Sequence, residues 1–103
     1  MGQIKVSIKY YNLLREAAGQ AREEVTLTSP ANLLDLLLHL EKQHGEGLGR
    51  WILNEGKEIS PAVRIFLNGD TPGESQALQD GDEVALFMAI SGGSAGVPLS
   101  TSY

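Results

Sequence analysis

The segment LQDGDEVALFMAISGG, residues 78–93, constrains the architecture more than any other part of the chain. It begins with an Asp-Gly-Asp turn, because aspartate and glycine adopt the backbone angles that tight turns require. Residues 83–88 then alternate between two kinds of side chain, which predicts a strand with one buried face. The strand leads to Gly92 and Gly93. A glycine pair by itself is more typical of a flexible linker than of a chain end that enters a narrow channel, so the rest of the chain must decide its meaning.

Three earlier segments show the alternation of a half-buried strand, at residues 3–10, 23–28 and 62–68. Between the first two strands, residues 12–18 read as a helical turn, with Asn12 as its N-cap and a glycine as its stop. The connection is too long for a tight turn. The first two strands are nevertheless expected to form a hairpin-like pair.

One long helix is predicted after the second strand. Ser29 is its expected N-cap, Pro30 its first residue and Gly45 its end. Within it, four leucines share one face at helical spacing, and two more widen that face: Leu33, Leu36, Leu37 and Leu40, with Leu34 and Leu38. A stripe this wide is expected to pack on the core. Residues 45–57 are predicted to be an irregular connection in which residues 51–53 dock back on the fold.

The order strand, strand, helix, strand, strand predicts an α+β fold, in which one main helix covers one face of one sheet. A chain of 103 residues forms a single domain of this kind. The pattern of the sequence leaves the order and register of the strands open.

The composition excludes several classes of function. The net charge of −5 argues against binding to nucleic acid or to anionic membranes. No cysteine is present, so disulfides, thiolate nucleophiles and thiolate metal sites are excluded. No apolar run approaches the ~20 residues that span a bilayer. A cytoplasmic protein is therefore expected.

Residues that could carry catalysis are few. His39 and His44 have no clustered carboxylates beside them in the sequence, so no metal site is predicted, and His44 suits the C-terminal end of the helix dipole. Asp80, Asp82 and Glu83 are interpreted as a solvated acidic turn, because a hydrolytic pair of carboxylates would need an enclosed cleft. The chain is not expected to be an enzyme.

Several stretches together resemble a known family: Ile4-Lys5-Val6, Leu14-Arg15-Glu16 and residues 78–87, followed by Gly92-Gly93. They are similar to the small subunit of molybdopterin synthase and, more broadly, to the sulfur-carrier proteins of the ubiquitin-like β-grasp superfamily. The resemblance covers about residues 3–93. It implies a mixed sheet of four to five strands covered on one face by one main helix, with a β-grasp domain over residues 1–91 and a flexible tail over residues 92–103.

The resemblance also implies a function. The carboxylate of Gly93 would be adenylated by a ubiquitin-activating-type enzyme that uses ATP and magnesium, and then converted to a thiocarboxylate. That group would donate sulfur to a synthase large subunit or similar partner, in molybdopterin-type cofactor, cysteine or related biosynthesis. The chain itself would bind no cofactor. Ser91, Gly92 and Gly93 would form the active-site arm, and five residues would provide the docking surface: Phe87, Met88, Asp80, Asp82 and Glu83.

Two features depart from the family pattern. The segment before the glycines lacks the proline that is common there, and ten residues, 94–103, follow Gly93. Activation would therefore require a peptidase, of the metal-dependent type that processes ubiquitin-like tails, to cleave after Gly93. Two alternatives remain open. The chain is a protein modifier that is conjugated through Gly93 to lysines, or a non-conjugating β-grasp interaction module with the tail as a linker.

Overall fold

Within residues 2–73 and 76–89, which the computed structural model describes, the chain forms four strands and three helices. In chain order they are β1 (Gln3–Tyr10), α1 (Leu13–Ala18), β2 (Arg22–Thr28), α2 (Leu33–His44), α3 (Glu46–Ile52), β3 (Val63–Leu67) and β4 (Glu83–Met88). The four predicted strands and the main helix are confirmed. The predicted glycine arm and tail lie outside the described residues.

The four strands form one mixed sheet in the order β2-β1-β4-β3. The outer pairs are antiparallel, whereas the two central strands, β1 and β4, are parallel, with Ser7 opposite Glu83. A parallel pair requires a crossover connection, and the long segment that contains α2 provides it. The first and last described strands are therefore neighbours at the centre of the sheet.

The core lies between the sheet and the helices. The inward side chains of the strands are buried because each strand alternates, and the predicted leucine stripe of α2 covers them: Leu33, Leu36, Leu37 and Leu40 are 0–2% exposed. Leu34 and Leu38 are half-buried at the margin of this stripe. Twenty buried hydrophobic residues form one continuous cluster in the described part of the chain.

The start of α2 differs from the prediction. Asn32, not Ser29, caps the helix: its Oδ1 accepts a hydrogen bond from the Asp35 N–H at 2.9 Å, and the Asp35 carboxylate accepts one from the Asn32 N–H at 2.9 Å. This reciprocal pair satisfies two N–H groups that a helix start leaves without partners. Pro30 therefore lies before the helix, and α2 begins at Leu33.

Residues 45–57 were predicted to be an irregular connection. This prediction is wrong in part, because the segment contains helix α3. Gly49 of this helix has a structural reason: a Cβ at this position would lie 2.5 Å from Cγ of Glu41 on α2. The missing side chain lets the two helices approach closely. The predicted docking of residues 51–53 is confirmed, since Ile52 and Leu53 are buried and Trp51 packs against the core.

Helix α1 begins after Asn12 and ends at Gly19, as predicted. The Asn12 side chain, however, makes no capping hydrogen bond. Its backbone has φ 56° and ψ −134°, a region that non-glycine residues rarely adopt. The chain turns sharply here, between the end of β1 and α1.

Candidate functional site

The sheet has one face covered by helices and one open face. Along β4, Val84 and Leu86 are fully buried beneath the helices, whereas Ala85 and Phe87 lie on the open face and are half-buried. Phe87 lies two residues before Ala89, the last described residue ahead of the predicted arm. The open face beside Phe87 is therefore the surface closest to the root of that arm.

An aromatic cluster, formed by Tyr11, Phe66 and Phe87, occupies this part of the open face. The Tyr11 and Phe87 rings lie edge to face, with centroids 6.1 Å apart, and the Phe66 and Phe87 rings lie 5.3 Å apart. Both geometries are favourable for aromatic pairs. Tyr11 is 37% and Phe66 36% exposed, which is high for large apolar side chains. Exposed aromatics grouped in this way are characteristic of interaction surfaces.

The backbone of three segments positions the cluster. The Tyr11 N–H donates to the Leu86 carbonyl at 3.0 Å, which extends the β1–β4 pairing beyond the end of β1. Phe66 on β3 lies directly opposite Ala85 on β4. Because Ala85 is small, it forms the floor of a shallow depression whose walls are the aromatic rings, with Asn12 at its rim. The sharp backbone turn at Asn12 thus borders the cluster.

Met88, which was predicted to share a docking surface with Phe87, points to the other face. It is half-buried and packs against the core. The structure therefore does not bring these two residues together, and a docking role for Met88 stays a prediction. The Ala89 N–H donates to the Ala62 carbonyl at 2.7 Å. Pairing with β3 thus continues to the last described residue.

The two aspartate carboxylates of the predicted acidic turn accept hydrogen bonds that stabilise the fold. Asp80 Oδ1 accepts a hydrogen bond from the Lys5 N–H at 2.8 Å. Asp82 accepts from the Gln79 N–H at 2.8 Å and from the Asn68 side chain at 3.0 Å. These contacts tie the turn to β1 and to the end of β3. Both residues are therefore turn-forming, and a docking role for them stays a prediction.

Glu83, the third predicted acidic residue, lies on the open face at the start of β4, two residues before Ala85. Its carboxylate is 3.1 Å from Lys9 Nζ and 3.9 Å from the Arg22 guanidinium. The group is 44% exposed, so these surface ion pairs contribute little stability. The open face therefore carries charged side chains around the start of β4, whereas the aromatic cluster lies farther along β4 and on β3.

Two members of the aromatic cluster, Tyr11 and Phe66, were not predicted from the sequence as docking residues. The signal for Phe66 was present: it alternates with Val63 and Ile65, so an aromatic residue stands on the solvent side of a strand. No such signal exists for Tyr11, which follows β1 and meets Phe87 only through the parallel pairing. Ser91, Gly92 and Gly93 lie outside the described residues.

A second cluster of polar side chains is buried on the covered face. Glu23 points inward from β2, and its carboxylate accepts a hydrogen bond from the Tyr10 hydroxyl at 2.5 Å and lies 2.5 Å from His44 Nε2. Gln43 Nε2 donates to the other carboxylate oxygen at 2.9 Å. Burial, followed by the hydrogen bond to Glu23 and its charge, raises the pKa of Tyr10 above its ordinary range. His44 therefore has a carboxylate partner, beyond the predicted effect of the helix dipole.

In the described part of the chain, no helix is both long enough and apolar enough to cross a membrane.

Comparison with known proteins identifies the family. Residues 8–93 match the model of the ThiS family. The chain is 29% identical over 94 residues to small archaeal modifier protein 3 of Haloferax volcanii, which covers 87% of this chain and 100% of that relative.

Solved structures agree with this match. A putative molybdopterin converting factor, subunit 1, from Pyrococcus furiosus is 32% identical, with a TM-score of 0.72 over 84% of this chain and 99% of that one. The crystal structure of small archaeal modifier protein 1 (SAMP1) from Haloferax volcanii is 26% identical, with a TM-score of 0.77 over 84% and 97%. The predicted β-grasp fold is confirmed, and the chain belongs to the ThiS family of small ubiquitin-like sulfur carriers.

Proposed function

We propose that the reactive group of this carrier is the carboxylate of Gly93, exposed by removal of residues 94–103. The observation that supports this most directly is the extent of the family match, which covers residues 8–93 and ends at the second glycine of the pair. The ten residues that follow have no counterpart in the matched region. A peptidase that cleaves after Gly93, of the metal-dependent type, therefore completes the carrier.

The chemistry on Gly93 follows from the weak reactivity of a carboxylate. An adenylating enzyme of the ubiquitin-activating type uses ATP and magnesium to form an acyl-adenylate, which releases pyrophosphate. A sulfur nucleophile at the oxidation level of hydrosulfide then attacks the carbonyl carbon. A C–S bond forms, the C–O bond to AMP breaks, and a thiocarboxylate remains at Gly93. The enzyme supplies this machinery, and the carrier supplies a body that docks and a thin arm.

The arm consists of Ser91, Gly92 and Gly93. When extended, three residues reach roughly 10 Å, enough to enter a channel to which the folded body has no access. Two glycines leave such a channel free of side chains. The hydrogen bond from Ala89 to Ala62 supports this assignment, because it fixes the point from which the arm starts.

The aromatic cluster is the proposed docking surface for the partner enzymes. Two of its rings are exposed, all three are contiguous, and Phe87 lies on β4, the strand that precedes the arm, so a partner that binds them also receives Gly93. Aromatic side chains contribute much of the binding energy at interfaces. The adenylating enzyme and the sulfur-accepting synthase subunit use this surface in turn. The name of the Pyrococcus furiosus relative, subunit 1 of a converting factor, is consistent with a partner subunit.

A second function is favoured by the relatives in Haloferax volcanii, which are named small archaeal modifier proteins. In that role the adenylated Gly93 forms an isopeptide bond with lysines of other proteins. Activation is the same in both roles, and only the acceptor differs. The same docking surface therefore serves either function.

Mass spectrometry of the protein from its native cells tests the proposal. A chain that ends at Gly93 and carries the mass gained when one oxygen is exchanged for sulfur supports the sulfur carrier. Gly-Gly remnants on lysines of other proteins support the modifier. If only the 103-residue chain is found when sulfur demand is high, both functions are excluded.

A matched pair of chains separates processing from activation. A version that ends at Gly93 should be adenylated by the cognate enzyme without the peptidase, whereas the 103-residue chain should not. Gly93→Ala in the shortened version keeps the carboxylate but adds a methyl group inside the channel, so adenylation should slow. Equal adenylation of the long and short chains would contradict the requirement for processing.

A further inference from the structure

The outer edge of β2 is open. The Tyr10 N–H donates to the Ala21 carbonyl, and the Ser29 N–H donates to the Gly2 carbonyl. Hydrogen-bonded pairs alternate in an antiparallel ladder, so the odd-numbered residues of β2 face β1. The even-numbered residues direct their N–H and C=O groups away from the sheet: Arg22, Glu24, Thr26 and Thr28. Within the described residues, no further strand pairs with this edge.

The opposite edge of the sheet, on β3, is largely closed by neighbouring loops. Asn68 N–H donates to Glu83, so the even-numbered residues of β3 face β4 and the odd-numbered ones face outward. Of these, Val63 donates to the Ser60 carbonyl at 3.2 Å and Leu67 to the Asp70 carbonyl at 2.8 Å. The two edges thus differ. Proteins commonly cover sheet edges to prevent unwanted pairing, and β2 lacks such a cover in the described structure.

A groove lies between α2 and the C-terminal end of β2, at Leu27 and Thr28. We call it the β2–α2 groove, and its apolar lining consists of Leu27, Pro30, Ala31 and Leu38. Leu38 belongs to the margin of the leucine stripe and is only half-buried. A strand added to the edge of β2 would direct alternate side chains toward the face of the sheet on which this groove lies.

The charges at the groove favour an acidic partner. Lys42, on the last turn of α2, lines the groove and is exposed, and it forms no ion pair within the described residues. The Asp35 carboxylate, at the other end of α2, accepts a hydrogen bond from Asn32. The groove therefore has a positive charge at the Lys42 end and a negative charge at the Asp35 end, so an acidic side chain of an occupant is favoured at the Lys42 end.

We propose that the β2–α2 groove binds an extended segment of a partner protein, which adds to β2 as a further strand. Its alternate apolar side chains occupy the groove, and an acidic side chain lies beside Lys42. Strand β1 separates β2 from β4, which carries Phe87. The groove and the aromatic cluster are therefore separate surfaces, and this proposal does not depend on the chemistry at Gly93.

Nuclear magnetic resonance with the full ¹⁵N-labelled chain tests the proposal. The probes are two peptides with blocked termini that contain Val-Thr-Val-Thr-Val, with two glutamates at the N-terminal end in one and at the C-terminal end in the other. We expect at least one peptide to cause saturable shifts of the amides of the even-numbered β2 residues, Leu38 and Lys42.

Two pairs of variants make the test specific. Thr26→Pro removes an outward N–H, and proline is tolerated at a sheet edge, so binding should weaken by about tenfold while β1–β2 pairing persists. Thr26→Ala keeps that N–H and should bind normally. Lys42→Glu should weaken binding about 1.5- to 5-fold, as is usual for an exposed ion pair. Lys5→Glu makes the same charge change on the open face and should have no effect.

Four results would overturn the proposal. The first is a lack of saturable shifts with both peptides, and the second is a set of shifts centred on the aromatic cluster. The third is binding that is unchanged by Thr26→Pro. The fourth is a set of shifts of the same β2 amides that depend on protein concentration when no peptide is present. The last result would assign the edge to a second copy of the chain. If Thr26→Pro fails to fold, Glu24→Pro removes the neighbouring outward N–H in the same way.

Discussion

The Tyr10 hydroxyl donates a hydrogen bond to the Glu23 carboxylate at 2.5 Å, inside the layer between the sheet and α2. Tyr10 is 1% exposed, and the same carboxylate oxygen contacts His44 at the end of α2. One buried carboxylate thus joins β1, β2 and the C-terminal end of α2. Burial of a charge is costly unless it is hydrogen-bonded, and here Gln43 supplies a third partner.

This arrangement predicts a loss of stability at high pH. The pKa of Tyr10 is raised, first by burial and then by its hydrogen bond to Glu23. A tyrosine in the unfolded chain titrates near pH ~10, so the unfolded state releases this proton first. The stabilisation is therefore complete below about pH 10 and declines as the pH rises further. Urea unfolding between neutral and alkaline pH measures this decline.

Tyr10→Phe should remove most of this alkaline dependence. At neutral pH it should lower the free energy of unfolding by about 1.5–3 kcal/mol, because a buried carboxylate loses a donor. Tyr11→Phe is the matched control: Tyr11 is 37% exposed, so its free energy of unfolding should follow that of the natural chain at each pH. An equal decline in the Tyr10→Phe protein would refute the assignment to Tyr10.

The local features of this fold were predictable from sequence because they depend on short spacings. The alternation of side chains predicted all four strands. In β4 it also placed Val84 and Phe87 on opposite faces of the sheet. The parallel pairing of β1 with β4 was not predictable, because it joins residues such as Ser7 and Glu83 that lie far apart in the chain. The meeting of Tyr11 with Phe87 depends on that pairing, which is why Tyr11 was not predicted as a member of the aromatic cluster.

The two wrong helix predictions, the start of α2 and the irregular segment that contains α3, have physical causes. Ser29-Pro30 and Asn32-x-x-Asp35 are both helix-start patterns, and only the three-dimensional path selects the second. Helix α3 contains two glycines, which lower helix propensity, so its sequence reads as a loop. Contact with Glu41 on α2 makes Gly49 necessary, and that contact is invisible in the sequence.

The glycines of α3 predict opposite effects of the same substitution. Gly49→Ala should destabilise the protein by about 1–3 kcal/mol, because the new methyl group would overlap Glu41. Gly47→Ala meets nothing within 4 Å and should stabilise α3 by up to about 1 kcal/mol. Thermal unfolding of both variants measures the difference. A stabilising Gly49→Ala would show that the α2–α3 contact is loose.

The capping pair of α2 predicts the effect of a change at its start. Asn32→Ala should lower the free energy of unfolding by about 1 kcal/mol, because the Asp35 N–H loses its acceptor. Asn32→Ser keeps an acceptor oxygen and should cost much less. Denaturant unfolding of the two variants compares them directly. Equal losses would mean that the side-chain oxygen does not act as the cap.

The aromatic cluster predicts how activation responds to a change far from Gly93. Phe87→Ala should lower kcat/KM for adenylation by about 30-fold, the effect of losing an interface residue worth about 2 kcal/mol. Phe87 is half-exposed on the open face, so the loss of folding stability should be modest. Pyrophosphate exchange by the cognate adenylating enzyme measures the rate, and thermal unfolding measures the stability.

The control is Thr26→Ala, on the same face but two strands away, which should leave both the rate of adenylation and the stability unchanged. If Phe87→Ala is adenylated normally, the partner docks elsewhere, because a docking surface centred on the aromatic cluster would lose the ring that contacts both of the others.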